Sequence, residues 1–489
     1  MRQSFEIEHV WWSPVKARLE GVIMVSRRQL LQSAFVLPVG ALVVEPAVMS
    51  APGTAAVRVA VIGHTGRGNY GHGLDTMWQQ IPEVQICAVA DADPAGLAAA
   101  VNLLKPGKSY SDYHVMLAEQ RPEVVAVGPR HVDQHRDMLL AAIQHGVRGI
   151  YIEKPFVRTP AEADEVLRAA NAAGVRIAVA HRNRFHPVLP VLRQLLADGK
   201  IGRVLEYRGR GKEDARGGAL DLWVLGSHVM NLAAYFGGSP VAVSATLLQD
   251  GRLVQKADVR EGAEGIGLLA GNELHARFEL QSGLPFFFDS VQHARRRDAA
   301  TDRPASFGLQ IIGTEGVIDL RADQHPLAAI REGSPFDPDF AQPRAWQVVS
   351  SAGIGKPEPD ANLAQTLTSQ VLPGRDLLAA MRESRQPLCD GEQGRQTIEM
   401  ICGVFESHRL NGQRVNFPLQ TRVNPLSLLE PRGDCQSLWN FCCAALAENK
   451  RLSLRFHDAI ARMFPPYVFE VCRLQDLTLL KRCCKSARR

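Results

Sequence analysis

A lysine directly after an apolar segment is the first residue whose type and position suggest chemistry. Lys154 lies in Glu153-Lys154-Pro155, which follows residues 148–152, a run typical of a buried strand. Side chains at the carboxyl ends of parallel strands meet in the crevice where open α/β sheets bind ligands. An amine held there beside an apolar or cationic surface has a lowered pKa and can share a hydroxyl proton with an imidazole. The alternative is a solvated lysine in a surface salt bridge.

A glycine-rich turn follows the first predicted strand, residues 57–62. The turn reads Gly63-His64-Thr65-Gly66-Arg67-Gly68-Asn69-Tyr70-Gly71. Two registers of the G-x-G-x-x-G fingerprint fit: Gly63, Thr65 and Gly68, in which threonine replaces the middle glycine, or Gly66, Gly68 and Gly71. Glycines at these positions permit a tight turn and the close approach of a dinucleotide pyrophosphate, and a helix is expected to follow.

An acidic residue ends the second predicted strand, residues 85–90. Asp91 lies 23 residues after Gly68, the spacing at which a carboxylate accepts hydrogen bonds from the ribose hydroxyls of NAD. A carboxylate there repels the 2′-phosphate of NADP, and Ala92-Asp93-Pro94 offers no arginine to hold that phosphate. The pattern predicts NAD, with NADP less favoured; the alternative is an aspartate that only caps its turn.

The elements that must position these residues alternate between strand and helix. Further strands are predicted at residues 123–127, 148–152 and 176–180, and the clearest helix at 161–173, with Thr159 as N-cap, Glu162 in a capping box and Gly174 after its end. Repeated βα units predict a doubly wound parallel sheet, the Rossmann arrangement. After His181 the strands at 204–208, 241–247, 274–280, 309–312 and 317–320 are joined by longer loops, with a return helix at 377–383. This pattern predicts an α+β domain with an open, mostly antiparallel sheet.

Several segments together resemble the Gfo/Idh/MocA family of NAD(P)-dependent oxidoreductases over roughly residues 57–419. They are residues 145–155, with Pro129 and His135 upstream, Arg184-Phe185, Ile201-Gly202-Arg203-Val204, Gly313-Thr314-Glu315-Gly316, and the segment 217–231 with His228. The resemblance implies that Lys154 and His228 are catalytic. It also implies a cofactor site formed by Gly63, Thr65, Gly66, Gly68, Asp91, Pro129, His135, Glu153 and Lys154.

The segment before His228 departs from the family pattern. The family often has an aspartate four residues before its histidine, where this chain has Val224, and Asn231 also replaces a common aspartate. On a helix, Asp221 lies about two turns before His228 and is a candidate substitute. The alternative for His228 is a buried structural histidine. Candidate substrate contacts are His181, Arg184, Asp214 and Asp221, with His186, Glu213 and Arg216 as further candidates.

Length and charge bound the remaining possibilities. A chain of 489 residues predicts two domains plus end segments. We assign residues 1–55 to a leader, 56–182 to a Rossmann domain, 183–424 to a substrate and oligomerisation domain, and 425–489 to a tail. The net charge is +5, of which residues 421–489 carry +6, so the remainder sums to −1 and gives no electrostatic case for nucleic-acid binding.

Six of the nine cysteines lie in the tail without the C-x-x-C spacing of a zinc site, and no metal is predicted. Cys87, Cys389 and Cys402 are predicted to be core residues.

The N-terminal segment resembles an export signal. Ser26-Arg27-Arg28-Gln29-Leu30-Leu31 is a twin-arginine pattern, and the apolar run 33–44 is too short for a transmembrane helix. We therefore expect the twin-arginine export machinery as a partner and a periplasmic or otherwise exported location. The alternative is a basic leader without a targeting role.

The leading hypothesis is hydride transfer between bound NAD and a sugar, polyol or related carbohydrate. A first alternative is an NAD-dependent glycoside hydrolase that oxidises, eliminates and hydrates without net redox change. A second, motivated by Val224, is a non-catalytic sugar-binding protein. The resemblance also implies a homo-oligomer.

Overall fold

A six-stranded parallel sheet forms the first part of the fold. The computed structural model describes residues 56–293, 307–322, 324–337 and 343–431, so the predicted leader and residues 432–489 of the tail lie outside it. The strand order is β3-β2-β1-β4-β5-β6. The strands are β1 (Val57–Ile62), β2 (Val84–Ala90), β3 (Lys108–Tyr110), β4 (Val124–Val127), β5 (Gly149–Ile152) and β6 (Arg176–Val179). Strands β4 and β5 are buried throughout, as continuous apolar runs of parallel sheets require, and the Rossmann prediction is confirmed.

Four helices connect the strands of this sheet, but the helix predicted after the glycine turn is not formed. The four are α1 (Pro94–Leu104), α2 (Tyr113–Gln120), α3 (His135–Gln144) and α4 (Pro160–Ala173). Helix α4 begins and ends as predicted, because the Thr159 side chain accepts from the Glu162 amide and Gly174 is left-handed. Between β1 and β2 the chain makes turns and a short 3₁₀ helix, Thr76–Gln80.

A second sheet, mixed but mostly antiparallel, confirms the α+β prediction for the second domain. In the described part of the chain it has eleven strands, in the order β18-β17-β16-β15-β14-β7-β13-β12-β8-β19, with β9 paired to β8. Strand β12 shows the alternation of buried and exposed residues that is expected where one face covers a core. The strands are β7 (Val204–Arg210), β8 (Pro240–Gln249), β9 (Arg252–Leu253), β12 (Glu273–Leu280), β13 (Pro285–Val291), β14 (Gly308–Gly313), β15 (Gly316–Arg321), β16 (Ala328–Glu332), β17 (Gln347–Ser350), β18 (Gly353–Ile354) and β19 (Val415–Asn416), while β10 (Arg260–Glu261) and β11 (Leu268–Leu269) form a separate pair.

The remaining helices follow β6 along the chain. They are α5 (Val188–Ala197), α6 (Ala219–Asp221), α7 (Ser227–Gly237), α8 (Leu363–Thr368), α9 (Val371–Glu383) and α10 (Gly391–Arg409). The predicted return helix is α9, which packs against β5 and β6 through Leu377 and Leu378, so a late segment of the chain completes the core of the first sheet. Cys87, Cys389 and Cys402 are buried free thiols, which confirms their prediction as core residues. In the described ranges, no helix is both long and apolar enough to cross a membrane.

A π-helical segment, Leu222–Gly226, joins α6 to α7. Such single-turn widenings are rare and interrupt the regular pattern of main-chain hydrogen bonds, often at functional sites. All five residues are buried, and His228 follows as the second residue of α7. The segment therefore brings main-chain groups of the second domain to the carboxyl edge of the parallel sheet.

Candidate active site

Lys154 contacts the second domain through a main-chain group. Its Nζ atom donates to the carbonyl oxygen of Val224, 2.7 Å away, within the π-helical segment. The lysine follows β5, at the carboxyl end of the strand, as the sequence predicted. The position at which the family often carries an aspartate thus still supplies an acceptor, but from the backbone.

Lys154 and His228 line the same cavity, whose volume is about 210 Å³. Residues from both domains form its walls. They are His72, Arg130, Glu153, Lys154, Ala180, Arg182, Lys212, Arg216, Val224, Leu225, His228, Glu264 and Gln370. The structure therefore brings together the two residues predicted to be catalytic, in a crevice at the end of the parallel sheet.

Glu153 is buried beside the lysine. Its carboxylate lies 3.2 Å from His72 Nδ1 and has 1% of its side chain exposed. Burial raises the pKa of Glu153, but the hydrogen bond and charge of His72 and the charge of Lys154 outweigh it, so the pKa is lowered. The residue therefore supplies a negative charge next to the Lys154 amine.

A second histidine packs on His228. The rings of His181 and His228 are T-shaped, with centroids 5.3 Å apart, and His181 is 1% exposed. Burial, followed by the charge of Lys154, lowers the pKa of His181 to about 3. Among the described residues, neither ring nitrogen of His181 has a hydrogen-bond partner. His181 was predicted as a substrate contact; the structure places it behind His228 as a neutral buried ring.

His135 and Pro129, predicted as cofactor contacts, are both buried, and neither is among the residues that line the cavity. His135 Nε2 lies 2.7 Å from the Pro129 carbonyl oxygen, and its Nδ1 lies 2.9 Å from that of Pro155. The imidazole thus links the loop after β4 to the loop that carries Lys154. Its observed role is to hold these two loops together.

The glycine turn packs closely on its own chain. Gly66, Gly68 and Gly71 have φ angles of +82°, +91° and +66°, which side-chain-bearing residues rarely adopt. A Cβ on Gly68 would lie 2.3 Å from the Arg130 amide nitrogen, whereas nothing lies within 4 Å of one on Gly66. A Cβ on Gly63 would lie 2.1 Å from the Tyr70 ring. The Tyr70 ring therefore packs directly on Gly63, the first glycine of the first register, whereas the space beside Gly66 is open.

Asp91 is buried at the end of β2 and is held by the same turn. Its carboxylate accepts from the Thr65 amide at 3.1 Å, from the Thr65 hydroxyl at 2.7 Å and from the Asp93 amide at 3.0 Å. Burial, followed by the charge of Asp91, raises the pKa of the Tyr70 hydroxyl. Thr65, which occupies the middle glycine position of the first register, thus connects the glycine turn to Asp91 through two hydrogen bonds.

Three predicted substrate contacts lie elsewhere. The Asp221 carboxylate is fully buried and accepts from the amides of Lys212 and Glu213 and from the Ser290 hydroxyl, so it fixes a loop and is closed to a ligand. Asp214 pairs with Arg216, whose hydrogen bond lowers the Asp214 pKa to about 2. The Arg184 guanidinium lies 4.0 Å above the Tyr235 ring and lines a separate cavity of about 630 Å³.

The sequence did not single out several residues that line the cavity. His72, Arg130, Arg182, Lys212, Glu264 and Gln370 come from separate loops. No spacing in the sequence marks them, because each is brought in by tertiary contacts. Arg182 could have been found from the sequence, because it lies just after β6 in the same way that Lys154 lies just after β5.

Comparisons with known proteins agree with this geometry. Residues 57–181 match the Gfo/Idh/MocA profile, described as an oxidoreductase family with an NAD-binding Rossmann fold. Over these residues the chain is similar to the NAD-binding domain of that family. The predictions of an NAD-dependent oxidoreductase and of NAD as its cofactor are thereby confirmed.

Relatives extend the similarity into the second domain. The chain is 24% identical over 342 residues to D-apiose dehydrogenase of Paraburkholderia graminis, covering 68% of this chain and 83% of the relative. It is 24% identical over 295 residues to scyllo-inositol 2-dehydrogenase (NAD(+)) of Bacillus subtilis, covering 58% and 80%. The solved structure of levoglucosan dehydrogenase with NADH and levoglucosan is similar in fold, with a TM-score of 0.57, 20% identity, and coverage of 74% of this chain and 99% of that one.

The residues of this chain fit a nicotinamide dinucleotide. The glycine turn follows β1, which borders the switch point between β1 and β4, where the strand order reverses, and Asp91 ends the neighbouring strand β2. The Arg130 Nε atom beside the turn is buried and, within the described residues, has no hydrogen-bond acceptor, which suits an anionic group. Gly66, Thr65, Arg130 and Asp91 would hold the nucleotide, and Lys154 would stand near the reacting centre.

Proposed function

We propose that this enzyme transfers a hydride between NAD and a hydroxyl-bearing carbon of a sugar, polyol or related carbohydrate. The observation that carries the proposal is the shared cavity of Lys154 and His228 at the carboxyl edge of the NAD-binding sheet. The names of the relatives support the substrate class, since they are dehydrogenases of D-apiose, levoglucosan and scyllo-inositol.

The side chains of the cavity supply the proton chemistry. Bound NAD supplies the hydride acceptor, while the hydroxyl proton needs a base within hydrogen-bond reach. Lys154 is held by the Val224 carbonyl at 2.7 Å, so its Nζ atom has a fixed position at the cavity wall. His228, on α7, lines the same cavity, and the two groups can share the proton of a hydroxyl bound there.

The experiment is a search for NADH formation with a panel of sugars and polyols, followed by Lys154→Met and His228→Asn. Both variants should lose at least about 100-fold in kcat, the usual contribution of a general base, while NADH binding is retained. Lys108→Met, an exposed lysine on edge strand β3, is the matched control and should leave kcat unchanged. Full activity of the Lys154 variant would contradict the proposal.

The same panel separates the two alternatives. A glycoside hydrolase would release a chromophoric aglycone from a glycoside without net NADH, whereas a dehydrogenase forms NADH from the free sugar. A non-catalytic binder would take up sugar with equal affinity in the wild type and in Lys154→Met, and would turn over neither substrate.

Export is part of the proposal and rests on the sequence alone. The twin-arginine pattern at residues 26–31 and the apolar run after it support export. Fusing residues 1–60 to a reporter that is scored after export, with Arg27→Lys and Arg28→Lys as a paired variant, tests it. Light scattering of the purified protein tests the expected homo-oligomer.

A further inference from the structure

Gln370 lies in the wall of the Lys154 cavity with a backbone conformation that glutamine rarely adopts. It stands between α8 and α9 with a φ angle of +59°, in the left-handed region, and only 2% of its surface is exposed. Residues with side chains persist in this region where the surrounding structure holds them, and they cluster at active sites. The conformation therefore indicates a functional constraint on Gln370.

Both ends of the Gln370 amide are hydrogen-bonded. Its Oε1 atom accepts from the Tyr151 hydroxyl, 2.5 Å away, and its Nε2 atom donates to the main-chain carbonyl oxygen of His72, 2.7 Å away. Because a carbonyl oxygen can only accept, this second bond fixes the orientation of the amide. Tyr151 is fully buried on β5, three residues before Lys154. Gln370 therefore connects the strand that leads to Lys154 with the loop that follows the glycine turn.

His72 in turn makes two hydrogen bonds with Glu153. Its Nδ1 atom lies 3.2 Å from one carboxylate oxygen, and its main-chain amide donates to the other at 3.4 Å. Because an ionised carboxylate can only accept, Nδ1 carries a proton in this contact. A Cβ on the neighbouring Gly71 would lie 2.7 Å from the same carboxylate, so the loop packs directly on Glu153. The bond from Gln370 thus fixes the residue whose ring and amide both contact Glu153.

The charge of Glu153 matters for the proton chemistry of Lys154. In the proposed reaction the amine takes up the hydroxyl proton and becomes a cation, which a neighbouring carboxylate stabilises. Burial raises the pKa of Glu153, and the hydrogen bond from His72 is the largest influence that opposes burial and lowers this pKa. Loss of the His72 contact would therefore favour the neutral acid, which stabilises the lysine cation less.

We propose that Gln370 is a positioning residue for the hydride transfer proposed above. By holding the His72 carbonyl, it keeps the His72 ring on Glu153. The carboxylate charge therefore stays beside Lys154. The two hydrogen bonds of the Gln370 amide also supply the support that its left-handed backbone requires. The proposal rests on the proposed function, since it assigns a role in the same reaction.

The test is a double-mutant cycle on the sugar or polyol that the panel identifies. Gln370→Met and His72→Phe should each lower kcat by about tenfold or more, because small displacements of groups at a reacting centre are costly. If Gln370 acts through His72, the double variant should lose no more than about twofold beyond His72→Phe alone. A larger loss, up to the roughly hundredfold product of the single losses, would overturn the proposal by showing that Gln370 acts independently.

Two further variants separate positioning from folding. Gln370→Gly removes the same hydrogen bonds, but glycine adopts a φ of +59° without strain, so this variant should fold and show a similar loss of kcat. Gln365→Met, at an exposed glutamine on α8, is the matched control and should keep the wild-type kcat. Urea unfolding checks that every variant is folded in the assay. Wild-type kcat in Gln370→Gly would overturn the proposal.

A crystal structure of Gln370→Gly tests the same contact without a substrate. His72 Nδ1 and Glu153 Oε1 are 3.2 Å apart, and we expect the ring to move beyond hydrogen-bond distance in the variant. An unchanged separation would overturn the proposal whether or not a substrate has been found. A displaced ring in a protein whose wild type oxidises no member of the panel would support the contact and count against the proposed function alone.

Discussion

The imidazole rings of His181 and His228 stand almost perpendicular, with an interplanar angle of 88° and centroids 5.3 Å apart. His181 comes from the end of β6, in the first domain, and His228 from α7, in the second. The contact therefore sets the position of a predicted catalytic ring against the sheet that carries Lys154. An aromatic pair of this geometry contributes about 0.5–1.5 kcal/mol beyond its buried area.

Removing the His181 ring should lower the catalytic rate without weakening cofactor binding. His181→Ala leaves a cavity beside His228, and we expect kcat to fall about 10–100-fold, because a small displacement of a reacting group is costly. His181→Phe keeps the ring and should restore most of the rate. Steady-state kinetics and NADH fluorescence titration measure the two effects. Equal losses in the two variants would show that the ring nitrogens, and not the packing, are what matter.

Stability should fall as the pH is lowered below about 6.5. Burial, followed by the charge of Lys154, lowers the pKa of His181 to about 3; burial, followed by the charge of His325, lowers that of His186 to about 4. The unfolded chain binds these protons near pH 6.5 and the folded chain does not, so folding becomes less favourable between pH 6.5 and 4. Each histidine contributes a slope of at most about 1.4 kcal/mol per pH unit.

Urea unfolding at pH 7.5, 6.5, 5.5 and 4.5 checks this dependence. His181→Phe removes one of the two groups, so its free energy of unfolding should decline less steeply than that of the wild type. Groups common to both proteins cancel in the comparison. Parallel curves would show that His181 titrates normally in the folded chain.

Placing the family's aspartate at position 224 should shift the pH dependence of activity. Val224 lines the cavity and its own carbonyl holds Lys154, so V224D puts a carboxylate beside the amine. An opposite charge favours the protonated lysine, and the acidic limb of the kcat/KM profile should move up by about one pH unit. V224N has nearly the same shape without the charge and should keep the wild-type profile. Superimposable profiles for the two variants would count against Lys154 as the titrating base.

Asp91 should control the choice between NAD and NADP. D91N removes the charge but keeps an oxygen that can accept from Thr65, so the preference for NAD should fall by at least about tenfold, because close like charges cost several kcal/mol. Thr65→Ala removes the hydroxyl that donates at 2.7 Å and leaves the charge, so the preference should persist. Kd values for NADH and NADPH in both variants measure this. An unchanged ratio in D91N would assign Asp91 to the turn alone.

The sequence predicted the features that periodicity and capping encode. The buried parallel strands and the ends of α4 are set by residues that are neighbours in the chain, and these predictions were confirmed. Strand β3 was not predicted, because Lys108–Tyr110 is a short edge strand without an apolar run. The helix after the glycine turn was wrongly predicted, since the left-handed glycines and the packing of Tyr70 on Gly63 favour turns.

Parts of the candidate site could not be predicted for a different reason. The carbonyl that holds Lys154 has no signature in the sequence, because every residue has one and only the fold selects Val224. Arg184 belongs to a recognisable motif, yet its side chain turns to Tyr235 and lines another cavity. The identity of a residue was therefore a weaker guide than the tertiary contacts that direct its side chain.

The hydrogen-bond acceptor of Lys154 is the peptide carbonyl of Val224. The position of this acceptor therefore depends more on the length of the π-helical segment Leu222–Gly226 than on its side chains. Side chains at position 224 can change without deleting the acceptor, whereas inserting or removing one residue between Leu222 and Gly226 rotates the adjoining helix by about 100° and moves the carbonyl away from the amine. Natural variation here should consist of substitutions at constant length. Single-residue deletions should be inactive even where the protein folds.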